Sequence, residues 1–143
     1  MRASLVALLL LVSLGCARPP WSEATLYDEL GGQPGIARIV SALIEEIAAD
    51  PRIVAFFDDT DVARFEQKLC EQLCVVSGGP CTYTGDDMRS AHAGLGIGPA
   101  HMNALVEDLQ KALRRNDVPW PVQNRLLAKL APMKRDIVEI PAD

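Results

Sequence analysis

The sequence predicts an all-α protein with a single folded domain, and three observations carry that reading. Past the first two dozen residues no stretch keeps up period-two alternation of apolar and polar side chains. Several stretches instead repeat apolar residues at i, i+3, i+4 and i+7 over two or more helical turns. The chain has 143 residues, enough for one real core and too few for two.

The elements follow in order. Arg2 precedes the apolar run Leu5 to Val12, which is too short to span a bilayer but suits the core of a secretory leader over residues 1–15. The run closes on Ser13-Leu14-Gly15-Cys16, which resembles a bacterial lipoprotein processing site. Gly15 and Cys16 fit that pattern; Ser13 and Leu14 depart from it, so ordinary cleavage stands beside lipidation of Cys16. Residues 16–24, with Pro19-Pro20, read as a tether, and residues 25–140 as the domain.

Within the domain, Thr25 to Leu30 forms a brief helical turn ended by Gly31-Gly32. Pro34 suits the first turn of the next helix, whose stripe is Ile36, Ile39, Val40, Leu43, Ile44, Ile47 and Ala48, and Asp50-Pro51 ends it. Arg52 to Phe57 carries two adjacent aromatics that cannot face the same way, so one is expected deep in the core. Asp59, Thr60 or Asp61 can cap a helix running to about Val76, with Val62, Phe65, Leu69, Leu73 and Val76 inward. Lys68 and Gln72 border that stripe as a snorkelling lysine and a solvated glutamine. Gly78-Gly79-Pro80 stops it. Asp86 or Asp87 starts a helix of about two turns that Gly94 ends. Pro99 opens another helix with Met102, Leu105, Val106, Leu109, Ala112 and Leu113 inward, and Asn116 closes it. Val118-Pro119-Trp120-Pro121 begins the last, with Val122, Leu126, Leu127 and Leu130 apolar and Pro132 interrupting it. Four main helices and one short one suit a small bundle or a compact globin, and periodicity does not choose between them.

Composition narrows the function. The formal net charge is −5, and −6 once Arg2 leaves with the leader. An acidic chain without a Lys/Arg cluster excludes nucleic acid and anionic lipid as partners, so membrane attachment would come only through Cys16. Of the cysteines in the folded part, Cys70 and Cys74 stand one helical turn apart, a poor geometry for a disulfide. Cys74 and Cys81 can meet if the chain reverses over Ser77 to Pro80, leaving Cys70 free; the alternative is three buried thiols.

His92 is the candidate for chemistry. Its helix is too short to stand alone and must be held by packing, and Met88, four residues earlier, shares its face, which points inward. An inward imidazole there is either a metal or haem-iron ligand or a core histidine satisfied by a carbonyl. His101, at the start of the next helix, reads as a surface residue, with a second ligand as the alternative.

Read together, these segments resemble a group 1 truncated haemoglobin from about Leu26 to Val138. Leu26-Tyr27-Asp28-Glu29-Leu30-Gly31-Gly32 resembles that family's opening, and Asp50 to Phe57 its second landmark. Gly78-Gly79-Pro80 with Tyr83-Thr84-Gly85 resembles its loop before the proximal segment, and Met88-Arg89-Ser90-Ala91-His92 the segment bearing the iron ligand. The resemblance implies a two-over-two helical sandwich around haem b, with His92 as proximal ligand, Met88 beside it and Phe57 on the porphyrin face. The first functional reading is then binding of diatomic gases such as oxygen and nitric oxide, with turnover of nitric oxide or peroxide as an extension of it that would need a reductant the sequence does not name. The departures lie on the distal side. Ile44 stands where the family commonly has a tyrosine, Leu69 where it often has glutamine, and Phe65 where it often has leucine or histidine. Gln72 is the nearest polar candidate. Lys68 takes either the family's place beside a haem propionate or, as a neutral amine, the sixth position on iron. A six-coordinate electron carrier or sensor and a haem-free helical interaction domain are the rival readings.

Overall fold

The computed structural model describes residues 24–139, so the leader, Cys16 and most of the tether lie outside the described residues. Among the described residues every regular element is helical. Helix α1 spans Leu26–Glu29 and is closed by a capping box, in which the Thr25 hydroxyl accepts from the Asp28 amide and the Asp28 carboxylate from the Thr25 amide. Gly31 and Gly32, both left-handed, turn the chain into α2, Gly32–Ala49. The turn is tight: a Cβ on Gly35 would come within 1.9 Å of the Leu30 carbonyl oxygen, so only glycine lets α1 and α2 approach. A 3-10 turn at Val54–Phe57 leads to α3, Val62–Val76, and of the three candidate caps Asp61 accepts from the Arg64 amide. The short helix α4 is Met88–His92, α5 is Pro99–Arg115 and α6 is Trp120–Leu130. Pro132 interrupts the last helix as expected, with a 3-10 turn at Ala131–Met133 and then α7, Lys134–Ile137.

Helix α2 packs against both α3 and α5, and α6 against α3 and α5, so two helices lie over two. Ile36, Ile39, Val40, Leu43 and Ile47 from α2 meet Leu73 and Cys74 from α3, Ala104, Leu109, Ala112 and Leu113 from α5, and Val122 and Leu126 from α6. Burying one such aliphatic side chain stabilises the fold by about 1.5–3 kcal/mol.

Three expectations need correction. Val62 is 55% exposed because it sits at the first position of α3, where the chain arrives from solvent. Ala48 is exposed at the last turn of α2, one position round from Ile47, on which the core closes. Neither Phe56 nor Phe57 goes deep; Ile53 is the buried residue there, and both rings stay half-buried. They pair sideways instead, Phe56 edge-on to His101 at 4.9 Å and Phe57 tilted on Phe65 at 5.2 Å.

Candidate functional site

Five residues cannot hold a helix in water unaided, so α4 survives on its ties. Asp87 caps it, its carboxylate accepting from the Ser90 hydroxyl at 2.7 Å and the Ser90 amide at 3.0 Å. Those two bonds hold the Asp87 carboxyl below its ordinary range, the hydroxyl bond most. The Tyr83 hydroxyl donates to the Asp86 carbonyl at 2.9 Å, and Arg89 pairs with Asp136 of α7 at 2.6 Å. At the far end, the amides of Gly94 and Gly96 donate to the Glu139 carboxylate.

Half-buried His92 closes the helix, and its Nδ1 lies 2.7 Å from the Met88 carbonyl oxygen. A carbonyl can only accept, so the proton of that bond sits on Nδ1, and in the neutral ring the lone pair is left on Nε2. The spacing that put Met88 and His92 on one face also supplies this bond, because an i to i+4 side chain reaches back to the carbonyl one turn earlier. One ring nitrogen is thus satisfied by backbone, as in a core histidine, and the lone pair on the other is the one a metal would take.

The remaining candidates come from three elements. Ile44 of α2, Phe57 of the 3-10 turn, and Phe65 and Leu69 of α3 are half-buried and pack against the core while keeping part of their surface outside it. None of these side chains carries a hydrogen-bond donor. Gln72 is not solvated: its amide nitrogen lies 3.2 Å from the Met88 sulfur and 3.4 Å from the Met133 sulfur, linking α3 to α4 and to the turn before α7. Lys68 is also engaged, by Glu71 at 3.1 Å and by the Thr84 hydroxyl. Glu71 is the hub of that cluster. It accepts from the Thr84 amide at 2.9 Å, the Thr84 hydroxyl at 2.8 Å and the Gln67 amide at 2.8 Å. These donors, the Thr84 amide foremost, pull its carboxyl down to about 2.

Cys74 and Cys81 form a disulfide, with Cα atoms 6.0 Å apart, closing the loop that leads from α3 toward α4. Cys70 is free and half-buried; burial pushes its thiol up, and Glu66 and Glu71 add to that. His101 is no plain surface residue. Its Nδ1 accepts from the Gly98 amide at 3.1 Å, capping α5, while its ring packs on Phe56. A surface groove of about 640 Å³ between Leu26, Val75 and Arg125 includes none of the candidate residues. Sequence reasoning missed Glu71, Thr84 and Glu139. Glu71 carried a faint signal, three residues after Lys68 on a helix; Glu139 carried none, lying more than forty residues from the glycines it binds.

The donor set fits haem iron better than a bare ion. Among the described residues no cluster of three His, Cys, Asp or Glu side chains could hold a metal. A single imidazole beside an apolar face suits a metal that brings its own equatorial nitrogens, as a porphyrin does.

The comparisons agree with that geometry. Residues 25–139 match the model of the bacterial-like globin family. The group 1 truncated haemoglobin of a Nostoc species is 33% identical over 115 residues, covering 80% of this chain and 98% of that one. Its counterpart in Mycolicibacterium paratuberculosis is 31% identical over 114 residues, covering 80% and 84%. In structure, the Fe(III) form of the truncated haemoglobin of Tetrahymena pyriformis superposes with a TM-score of 0.77 at 28% identity, over 80% of this chain and 97% of that one. The 2/2 haemoglobin of a Synechococcus species, solved in the cyanomet state with covalently attached haem, gives 0.76 at 25% identity, over 82% and 100%. The chain belongs to the bacterial-like globins, and within them to the group 1 truncated haemoglobins.

Proposed function

We propose that this protein binds a diatomic gas at haem iron held by His92, outside the cytoplasm, and that its distal side favours exchange or turnover of the gas over storage. Its cofactor is haem b, as in the family to which it belongs. The observation that carries the reading is the bond from His92 Nδ1 to the Met88 carbonyl, which orients the ring and leaves Nε2 for the metal. When bound, the haem supplies one open coordination position for a small ligand.

The protein's own residues do the rest. Phe57, tilted on Phe65, gives a flat apolar contact for the porphyrin, and Ile44, Phe65 and Leu69 exclude water from the ligand side. None of the three can donate a hydrogen bond to a polarised ligand, and the Gln72 amide is already turned to two sulfurs. Retention of oxygen is therefore weak. That suits a carrier that releases quickly, or consumption of nitric oxide or peroxide with an external reductant. Lys68 is bound to Glu71 and Thr84, an arrangement that keeps it charged and so suits a haem propionate better than the sixth position on iron, which takes a neutral amine. Export follows from the leader-like residues 1–15, and the Cys74–Cys81 disulfide supports an oxidising compartment.

Optical spectra of the purified protein, oxidised, reduced and with carbon monoxide, test this reading. Wild type shows a Soret band that carbon monoxide shifts; His92→Ala loses it or regains it only with added imidazole. A His92→Ala protein with the wild-type spectrum sinks the assignment. An unchanged ferric spectrum across pH in Lys68→Ala disposes of lysine ligation.

A further inference from the structure

The loop after His92 has an unusual tie. Gly94 and Gly96 both adopt left-handed backbone, with φ of 79° and 67°. Alternating the hand of successive residues turns neighbouring amides toward one side and makes a concavity that takes an anion. The anion here is the protein's own. Glu139, in the last described stretch of the chain, offers one carboxylate oxygen to the Gly94 amide at 2.6 Å and the other to the Gly96 amide at 2.7 Å. Its own amide donates to the Ile97 carbonyl at 2.9 Å, so the clamp holds through three bonds to three residues of one loop. Charge-assisted bonds of this length are about twice as strong as neutral ones.

We propose that Glu139 is a positioning residue for the iron ligand: its carboxylate fixes the Gly94–Gly96 loop, and with it the place of His92, while holding a negative charge on the loop that follows the imidazole. The inference rests on His92 being that ligand. Asp87 pins the start of α4 and Glu139 pins the chain beyond its end, so the ring that Met88 orients cannot drift along the helix axis. The charge has its own effect. The two glycine amides hold the Glu139 carboxyl below its ordinary range, and the Gly94 amide that binds it is two residues beyond His92. An anion near the proximal ligand stabilises ferric over ferrous iron, and so lowers the reduction potential.

Two variants separate the clamp from the charge. In the full haem-loaded protein, Glu139→Ala speeds hydrogen exchange at the Gly94 and Gly96 amides and accelerates haem loss by about tenfold, the low end for outer-shell changes. Its ferrous iron–histidine stretching band moves to lower frequency and broadens, and its reduction potential rises. Glu139→Gln keeps one acceptor oxygen, so it restores protection to one glycine amide while the potential stays raised. Wild-type potential and stretching band in both variants, whatever their melting temperatures, overturn the proposal and leave Glu139 a fold contact only. Should Glu139→Ala fail to fold, Glu139→Gln decides alone: a raised potential supports the proposal and a wild-type value refutes it. The His92→Ala spectrum keeps the two readings apart, because its failure removes the ligand assignment itself, whereas insensitive Glu139 variants on an intact His92 spectrum remove only the clamp.

Discussion

His92 and Glu71 show how single side chains in this protein draw their roles from backbone donors and acceptors. The imidazole is set by one carbonyl, that of Met88, and the carboxylate by the Thr84 amide and hydroxyl. Glu71 has a measurable consequence in pH. Its carboxyl lies at about 2 in the folded protein against an ordinary 4.5. Its contribution to stability is therefore fully present above about pH 4.5 and fades as pH falls toward 2, where the folded form must also take up the proton. Asp50 behaves alike, held at about 2 by Arg52, so acid unfolding draws on both. In denaturant titrations across that window, Glu71→Gln shows a shallower loss of stability than wild type, with the Asp50 share remaining; an unchanged slope refutes the Glu71 assignment. Sequence spacing showed Met88 and His92 on one face; that the Met88 carbonyl takes the ring's Nδ1 came from the structure. Spacing did not show that Lys68 and Thr84 meet on Glu71, because Thr84 comes from a loop whose path is set by the disulfide.

At the scale of elements, the two helices that matter most for the site are stabilised by different means. Helix α3 is fifteen residues long, buries Leu73 and Cys74 in the core, and leaves Phe65 and Leu69 half-buried against it. Helix α4 buries no residue fully and depends on its caps, on Arg89–Asp136 and on the loop that delivers it. Cys74–Cys81 closes that loop against α3, and on the chain-entropy model it contributes about 2.5 kcal/mol. Paired Cys74→Ser and Cys81→Ser changes therefore lower unfolding free energy by about that much, read from urea midpoints. They also increase hydrogen exchange at the Thr84 amide, since the loop carrying it is no longer closed. A stability loss with Thr84 protection intact shows that the disulfide acts only on the unfolded chain. The helices were legible because their apolar periods are long. Their ends were less so, since three residues competed to cap α3 and Asp61 prevailed as the one whose carboxylate reaches the Arg64 amide.

For the whole molecule, a cofactor bound by the native fold alone stabilises that fold by mass action. The half-buried faces of Ile44, Phe57, Phe65 and Leu69 are surface that the core does not close over. Haem bound at a thousandfold excess over its dissociation constant adds about 4.1 kcal/mol, so extraction of haem lowers the calorimetric melting temperature by several degrees at least. Equal melting temperatures with and without haem contradict a site on these residues. The all-helical class, the order of the helices, the family and the ligand candidate were determined by the sequence alone, because they depend on local period, capping residues and short motifs in a fixed order. The tertiary structure decided which polar groups meet: Gln72 on two sulfurs, Lys68 on Glu71 and Thr84, His101 on Phe56, and Glu139 across the Gly94–Gly96 loop. Apart from Lys68 and Glu71, which stand three residues apart on α3, these contacts join residues far apart in the chain, and no local pattern encodes them; the fold brings them together, as where α4 meets α7.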